Sequence, residues 1–312
     1  MPLCTLHLLA LTRNNTTTST DDAADNDDPL PHFLTTLRNT TTTKPLTIAR
    51  PLRWIITPTA LSPDLPTAHR WDVLLILPTA SPALPKNLDD LVAARWTVTF
   101  GVPARVLEGY EGRNGGLLRG ETGEGVPALE EVAEEDKEKR EGGGRRRLAS
   151  SAQGLELSGE LMDWVRETTF GAARGGGGGG KGRGGAVSML NLLAFKDGMK
   201  AEYLKYGKAF AEDVGRKRGA VAKIVGTVVD DGGGKGVGVG EGEKKKKRVW
   251  DEVALAHYPS IWHFADMLAS EDYQAVNKRH RVGSLKDTFI LCTTELGLPG
   301  DDGKESRAAA KL

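Results

Sequence analysis

A chain of 312 residues with 42 Lys plus Arg against 42 Asp plus Glu carries no net charge, so no global field draws it to nucleic acid or an anionic membrane. Its two cysteines, Cys4 and Cys292, lie far apart, which argues against a disulfide framework or a zinc site and suits a reducing, cytoplasmic setting. No apolar run reaches the roughly 18 residues of a membrane span, and the length allows two domains of about 100 residues joined by long linkers.

The first eleven residues are apolar but lack a basic leader and a small-residue cleavage site, so Leu3 to Leu11 reads as a strand rather than a signal peptide. Asn14 to Asp28 has no apolar residue larger than alanine and is expected as a solvated insertion. Leu30, Phe33, Leu34 and Leu37 predict a short amphipathic helix, Leu46 to Thr57 an alternating strand, and Pro58 to Pro66 a proline-rich turn. Arg70 to Leu77 predicts a strand, Asn87 to Ala94 a helix, and Trp96 to Leu107 a strand with a bulge at Gly101-Val-Pro103. Glu108 to Gly154 is rich in Gly, Glu, Lys and Arg; it cannot bury enough surface to offset chain entropy and is expected to be mobile.

Leu155 to Phe170 predicts a modest helix, and a glycine linker opens at Gly175. Ala186 to Phe195 is a strand, Met199 to Arg218 a helix with Tyr203, Tyr206, Phe210 and Val214 on one face, and Ala220 to Val229 a strand. A Gly/Lys loop covers Asp230 to Arg248. Val249 to Tyr258 then reads as a strand, Pro259-Ser260 as a corner, and Ile261 to Asn277 as a helix. Ile261, Phe264, Ala265, Leu268 and, after a break at Ser270, Tyr273 and Val276 form its apolar stripe. Leu285 to Glu295 is a final strand, and the tail from Leu298 is polar.

The order β-α-β-β-α-β thus occurs twice, and residues repeat with it. Leu6-His-Leu-Leu-Ala-Leu11 matches Leu190-Asn-Leu-Leu-Ala-Phe195 at four of six positions, and Arg70-Trp-Asp-Val-Leu-Leu75 shares Trp-Asp with Val249-Trp-Asp-Glu-Val-Ala254. The reading is an α+β chain of two tandem ferredoxin-like repeats. Residues 1–107 form the first, 108–185 a low-complexity linker with a helix at 155–170, 186–297 the second, and 298–312 a disordered tail. A four-stranded sheet with helices on one face leaves its other face bare, so the repeats would pair and build one intramolecular barrel, as a monomer.

The C-terminal repeat resembles the dimeric α/β-barrel superfamily, and within it a family known only as a domain of unknown function. The residues that carry this are Leu190-Asn-Leu-Leu193, Tyr203 with Tyr206, Trp250-Asp251, Tyr258-Pro-Ser260, Ser270-Glu-Asp-Tyr-Gln274, and Arg279 with Arg281. The low-complexity insertions resemble those of filamentous-fungal proteins. The resemblance implies a small-molecule pocket and a range of chemistries, from cofactor-free oxygenases and isomerases to haem-degrading monooxygenases, among which fold alone does not choose.

In the monooxygenase relatives an Asn on the first strand looks into a pocket between sheet and helices. Asn191 stands there, with His7 at the matching N-terminal position; an amide can hold a developing enolate, or it can simply bond a neighbouring strand. His257 and Tyr258 point to opposite faces of their strand, and His257 near Asn191 would serve as a general base, the alternative being a structural histidine. Tyr206 and Arg279 are the substrate-binding candidates; Arg279 and Arg281, in a basic cluster with Lys278 and His280, would hold a substrate carboxylate through the guanidinium fork or else pair with Asp251, Glu271 or Asp272. Haem-degrading members of the superfamily carry their proximal histidine on the helix that corresponds to the one starting here at Ile261, so the resemblance points to His263. His263 falls about 100° from Phe264, which predicts a half-exposed surface histidine. Gly175 to Gly182 has phosphate-loop spacing, but Gly182 stands where Ser or Thr is required, which makes it a linker. Lys244 to Arg248 reads as hairpin decoration rather than a nuclear-localisation run.

The expectation is a small-molecule binding domain or a cofactor-independent oxygenase or isomerase, without cofactor. His257 and Asn191 would be its catalytic residues, and Tyr206 and Arg279 would bind substrate. The alternatives are a non-catalytic scaffold and a haem protein ligated by His263.

Overall fold

The computed structural model of the chain describes residues 1–13, 28–40, 43–61, 67–121, 125–130, 132, 155, 157–174, 185–231 and 249–297. The tract after Asn14, the Gly175 linker, the Lys244 to Arg248 run and the tail from Leu298 lie outside them. The strands are β1 (Leu3–Leu11), β2 (Thr47–Ile56), β3 (Val73–Leu77), β4 (Val92–Gly101), β5 (Val187–Phe195), β6 (Val221–Asp230), β7 (Glu252–Tyr258) and β8 (Leu285–Glu295). All pair antiparallel in the order β1-β3-β2-β8-β5-β7-β6-β4, and β4 returns to β1, so a closed barrel results. The chain is therefore mixed α+β, and closure removes the sheet edges that would otherwise invite further pairing.

Alternation decides what fills the barrel. Leu6 and Leu8, Leu74 and Ile76, Val98 and Phe100, Leu190 and Leu192, Val253 and Leu255, and Phe289 and Leu291 all point inward. Trp54, Trp96 and Trp250 turn their rings onto Phe289 at centroid distances of 5.4, 5.6 and 5.3 Å. Truncating such a core ring to alanine costs about 3–5 kcal/mol.

Helices cover the outside: α1 (Leu30–Thr40), α2 (Lys86–Asp89), α3 (Ala104–Leu107), α4 (Tyr110–Arg119), α5 (Gly159–Arg174), α6 (Lys200–Ala209), α7 (Ile261–Ala269) and α8 (Glu271–Val276). Helix α6 runs on through a wide turn at Phe210–Val214 and a tight one at Arg216–Arg218, and α8 through a wide turn at Asn277–Val282. Among the described residues no helix is long and apolar enough to cross a membrane.

The two Trp-Asp pairs make the same contacts. Trp71 and Trp250 both face the barrel core. The Asp72 amide donates to Leu9 O at 2.8 Å, and its Oδ2 accepts the Leu11 N–H at 2.8 Å. The Asp251 amide donates to Leu193 O at 2.8 Å, and its Oδ2 accepts the Phe195 N–H at 2.8 Å. Each Asp thus clamps the end of one strand to the entry of another.

Three expectations change. The helix expected over Asn87 to Ala94 shrinks to α2, because Val92 and Ala94 pair with Leu11 and Ala10 and so join β4. The strand expected over Trp96 to Leu107 stops at Gly101 without the expected bulge, and Ala104 to Leu107 coil into α3 after Pro103. Within the stretch expected to be mobile, α4 forms between two glycines at positive φ, Gly109 (59°) and Gly120 (70°). Two polar side chains fix it: Tyr110 shares a 3.0 Å hydrogen bond with Thr47, and Asn114 Nδ2 donates to Glu295 at 2.7 Å. An apolar count does not register such anchors.

Candidate functional site

A cavity of about 320 Å³ opens between the outer faces of β5, β6 and β7 and the helices above them. The strands supply its floor with Met189 and Asn191, Ala222 and Val225, and Ala254 and Ala256. Asn191 and Ala254 are direct partners across the β5–β7 pair, so the amide and one of the three floor alanines lie side by side. The walls are aromatic: Tyr203, Tyr206 and Phe210 from α6 and its wide turn, Phe264 from α7, and Tyr273 from α8. Tyr206 stands 5.4 Å from Tyr203 and 6.4 Å from both Phe210 and Tyr273, centroid to centroid.

Arg281 completes the lining from the wide turn after α8, with 1% of its surface exposed. Its guanidinium donates to the Tyr203 hydroxyl. Burial pushes the hydroxyls of Tyr203, Tyr258 and Tyr273 well above the ordinary tyrosine range, so they stay neutral donors, although the nearby Arg281 charge opposes that rise. Burial also raises Glu252, which lines the same cavity, against the opposing pull of Lys200 at 3.5 Å. The site therefore offers one buried cation, several neutral phenols and a carboxyl that binds its proton more tightly than usual.

The residues expected from sequence fare differently. Asn191 and Tyr206 line the cavity. The Asn191 Nδ2 donates to Met189 O at 2.9 Å and lies 3.5 Å from Ala254 O, so its N–H groups already serve the strands. His257 does not join them. It shares its parity with Val253 and Leu255, faces the barrel interior and is 1% exposed, on the side of the sheet opposite Asn191. Burial, with Lys223 and His263 nearby, lowers it to about 3, so near neutral pH it is an uncharged interior residue.

Arg279 is exposed and touches no part of the cavity; the guanidinium that reaches it belongs to Arg281. His263 is 2% exposed rather than half-exposed. Its Nε2 donates to Pro127 O at 3.0 Å and its Nδ1 shares a 2.8 Å hydrogen bond with Ser260 Oγ. With both nitrogens engaged, and no histidine among the described residues of the cavity, these side chains do not fit a haem iron. The sequence groups Arg281 with Arg279 in one basic cluster, and the site expectation falls on Arg279; Arg281 is the one that lines the cavity, in a buried series with Tyr273 and Asn277 at every fourth residue.

Barrel, helices and aromatic-lined cavity define a mixed α+β barrel with a pocket on its outer face. No family model matches the sequence, and no curated protein matches it. Among solved structures, a candidate monooxygenase from Lactobacillus acidophilus NCFM aligns over 94% of this chain and 93% of its own, at 8% identity and a TM-score of 0.38. At that identity and score the likeness carries no activity across.

Proposed function

We propose that the chain is a small-molecule-binding protein whose ligand is flat, mostly apolar and acidic at one end. The observation that carries this is the aromatic cavity beside buried Arg281. A guanidinium carries five N–H donors, so beside its bond to Tyr203 it would also hold an anionic or carbonyl oxygen of a ligand. Tyr203 and Tyr206 add hydroxyls on the same wall, and Asn191 shapes the floor.

The chemistry this arrangement supports is that of a cofactor-independent oxygenase or isomerase. Both need a proton removed next to a carbonyl or phenol, and both need the resulting enolate or phenolate held. Glu252 is the base, its raised pKa suiting it to proton transfer nearer neutrality. Arg281 faces the oxyanion. His257 has no part in this reading.

The division of labour follows from packing. On the first half of the chain, the face of β1 and β3 under α1 is packed solid by Leu9, Leu11, Phe33, Leu37, Val73 and Leu75. Strand order within each half, β4-β1-β3-β2 and β6-β7-β5-β8, and the paired Asp contacts support two ferredoxin-like repeats, the first as structural partner and the second as the working half. The pairing of β2 with β8 and of β4 with β6 closes the barrel within one chain, which supports a monomer in this reading.

The test is a titration with flat aromatic acids and their neutral analogues, followed by thermal shift and tyrosine fluorescence. Ala254→Phe fills the floor beside Asn191 and should weaken binding at least about tenfold, which is ~1.4 kcal/mol. Arg281→Lys should weaken the acids more than the neutral analogues. If no acid binds, or if binding is indifferent to Ala254→Phe, the reading fails.

A further inference from the structure

The barrel interior is apolar along most of its length and turns polar at the end covered by α4. Ser188, Lys223, His257, Thr293 and Glu295 all lie there, each at least nine-tenths buried or half-buried on the interior face of its strand. The register shift in β6 between Ala222 and Ile224 makes Lys223 the extra residue of a β-bulge, so Lys223 and Ile224 are both buried although consecutive. Lys223 Nζ donates to Glu295 Oε1 and, at 2.9 Å, to Asn114 Oδ1 of α4. Ser188 pairs directly with His257 across β5 and β7, yet Ser188 Oγ and His257 Nδ1 are buried without a hydrogen-bond partner.

A cavity of about 540 Å³ abuts this cluster, and Lys223, Asn114, Tyr110, Arg105 and Arg113 line it. The wall that α4 presents there contains Gly112 and Gly116, and a Cβ built at Gly112 would meet nothing within 4 Å. The buried lysine thus borders a largely apolar cavity whose lining also includes two exposed arginines, Arg105 and Arg113. A buried ion pair of this kind adds little stability by itself, because desolvation offsets the attraction.

We propose that Lys223 is an amine nucleophile that captures a small carbonyl compound carrying a carboxylate, such as a 2-oxo acid, as an imine. This site is separate from the aromatic pocket, and the proposal does not rest on that reading. Lys223 hands a proton to Glu295 and its nitrogen lone pair forms a C–N bond to the carbonyl carbon. The C=O π pair moves to oxygen, which takes the proton back from Glu295 to give a carbinolamine. The nitrogen then expels that hydroxyl as water, with Glu295 relaying the proton lost from nitrogen. One amine and one carbonyl become one imine and one water, with no oxidant or reductant. Asn114 positions the amine, and a carboxylate would face the exposed Arg105 and Arg113 of the cavity lining, Arg113 being steadied by its bonds to Glu108 O and Val106 O. Burial lowers the lysine pKa even against the pull of Glu295, which helps to free the amine.

The experiment treats the full-length protein with pyruvate and cyanoborohydride at pH 7 and maps reduced adducts by peptide mass spectrometry. Lys223 should be labelled faster than exposed lysines such as Lys86 and Lys208, since a lowered ammonium pKa leaves more of the amine neutral at a given pH. Glu295→Gln should slow that labelling about tenfold or more, which a merely structural Glu295 would not do. Lys223→Met should abolish the fast phase and leave the exposed sites unchanged. Should Lys223→Met fail to fold, the wild-type ratio between Lys223 and the exposed lysines decides alone. Labelling of Lys223 no faster than Lys86, in folded protein, overturns the proposal.

Discussion

Replacing Asp251 by alanine removes a carboxylate whose Oδ2 accepts the Phe195 N–H at 2.8 Å, where β5 ends. The amide is left without that acceptor at a part-buried strand end. A hydrogen bond to a charged group contributes about 1.5–3 kcal/mol, so the expected loss is ~2 kcal/mol. In a folded unit of this size each kcal/mol moves Tm by about 2–4 °C, which puts the variant ~4–8 °C below wild type. Asp251→Asn keeps an acceptor in place and should recover about half, because charge-assisted bonds are roughly twice as strong as neutral ones. The same two substitutions at Asp72 should rank the same way, since its Oδ2 holds the Leu11 N–H at the same 2.8 Å. Asp72 also binds Arg13 at 2.6 Å, but Arg13 is 39% exposed. Such a pair adds at most about 1 kcal/mol. Urea unfolding followed by tryptophan fluorescence reads both sites, with Trp71 and Trp250 adjacent to the substituted residues. If Asp251→Ala stays within ~0.5 kcal/mol of wild type while Asp72→Ala is severe, the two clamps are not equivalent and the duplication argument loses its best structural support.

Acid should destabilise the protein through two interior histidines. Burial, with Arg95 nearby, holds His7 at about 4, and burial, with Lys223 and His263 nearby, holds His257 at about 3, both below the ordinary 6.5. The unfolded chain therefore takes up protons first, so their contribution is complete above about pH 6.5 and declines as pH falls toward 4. Urea midpoints at pH 7.5 and 4.5 should differ less in His7→Gln and His257→Phe than in wild type, and an unchanged difference would falsify the assignment. Gly226→Ala should open the seam between β6 and β4, because its Cβ would lie 2.5 Å from Phe100 Cδ2 and 2.7 Å from Gly101 O. A loss of about 1–3 kcal/mol or more is expected by chemical denaturation, and a neutral result would mean the seam is looser than described. His263→Phe removes the contacts to Ser260 and Pro127 and should cost about 1–3 kcal/mol. It should leave any haemin spectrum as in wild type; a Soret band that depends on His263 would reinstate that residue as a ligand.

Much of the barrel was legible because strands announce themselves by composition. Leu3–Leu11 and Leu285–Glu295 have the bounds expected from sequence, and the break at Ser270 separates α7 from α8 where the apolar stripe is interrupted. Errors collected where tertiary contacts outweigh local preference. Val92 and Ala94 suit a helix equally well, and only pairing with β1 makes them strand. Helix α4 has three glycines in ten residues and little apolar surface, so nothing local predicts it. Its anchors lie on β2 and β8, far away in sequence.

The candidate site turned on parity and on one helix end. On β7 the inward residues Val253 and Leu255 are large, while Ala254 and Ala256 on the other face are small. Large residues fill a core, whereas small ones beneath aromatic helices leave room, so the cavity side of this strand could be told from its side-chain volumes alone. That contrast assigns His257 to the packed interior, because it is two residues from Leu255 and one from Ala256. The same reasoning separates the two arginines. A helix that stopped at Asn277 would leave Arg279 and Arg281 as equals in a loop. Continued as a wide turn to Val282, it carries the buried series Tyr273, Asn277 and Arg281 down one face and turns Arg279 to solvent. Side-chain volume along a strand, and polar residues that keep a helical period beyond an apolar stripe, are therefore the two sequence signals that locate a pocket in a barrel of this kind.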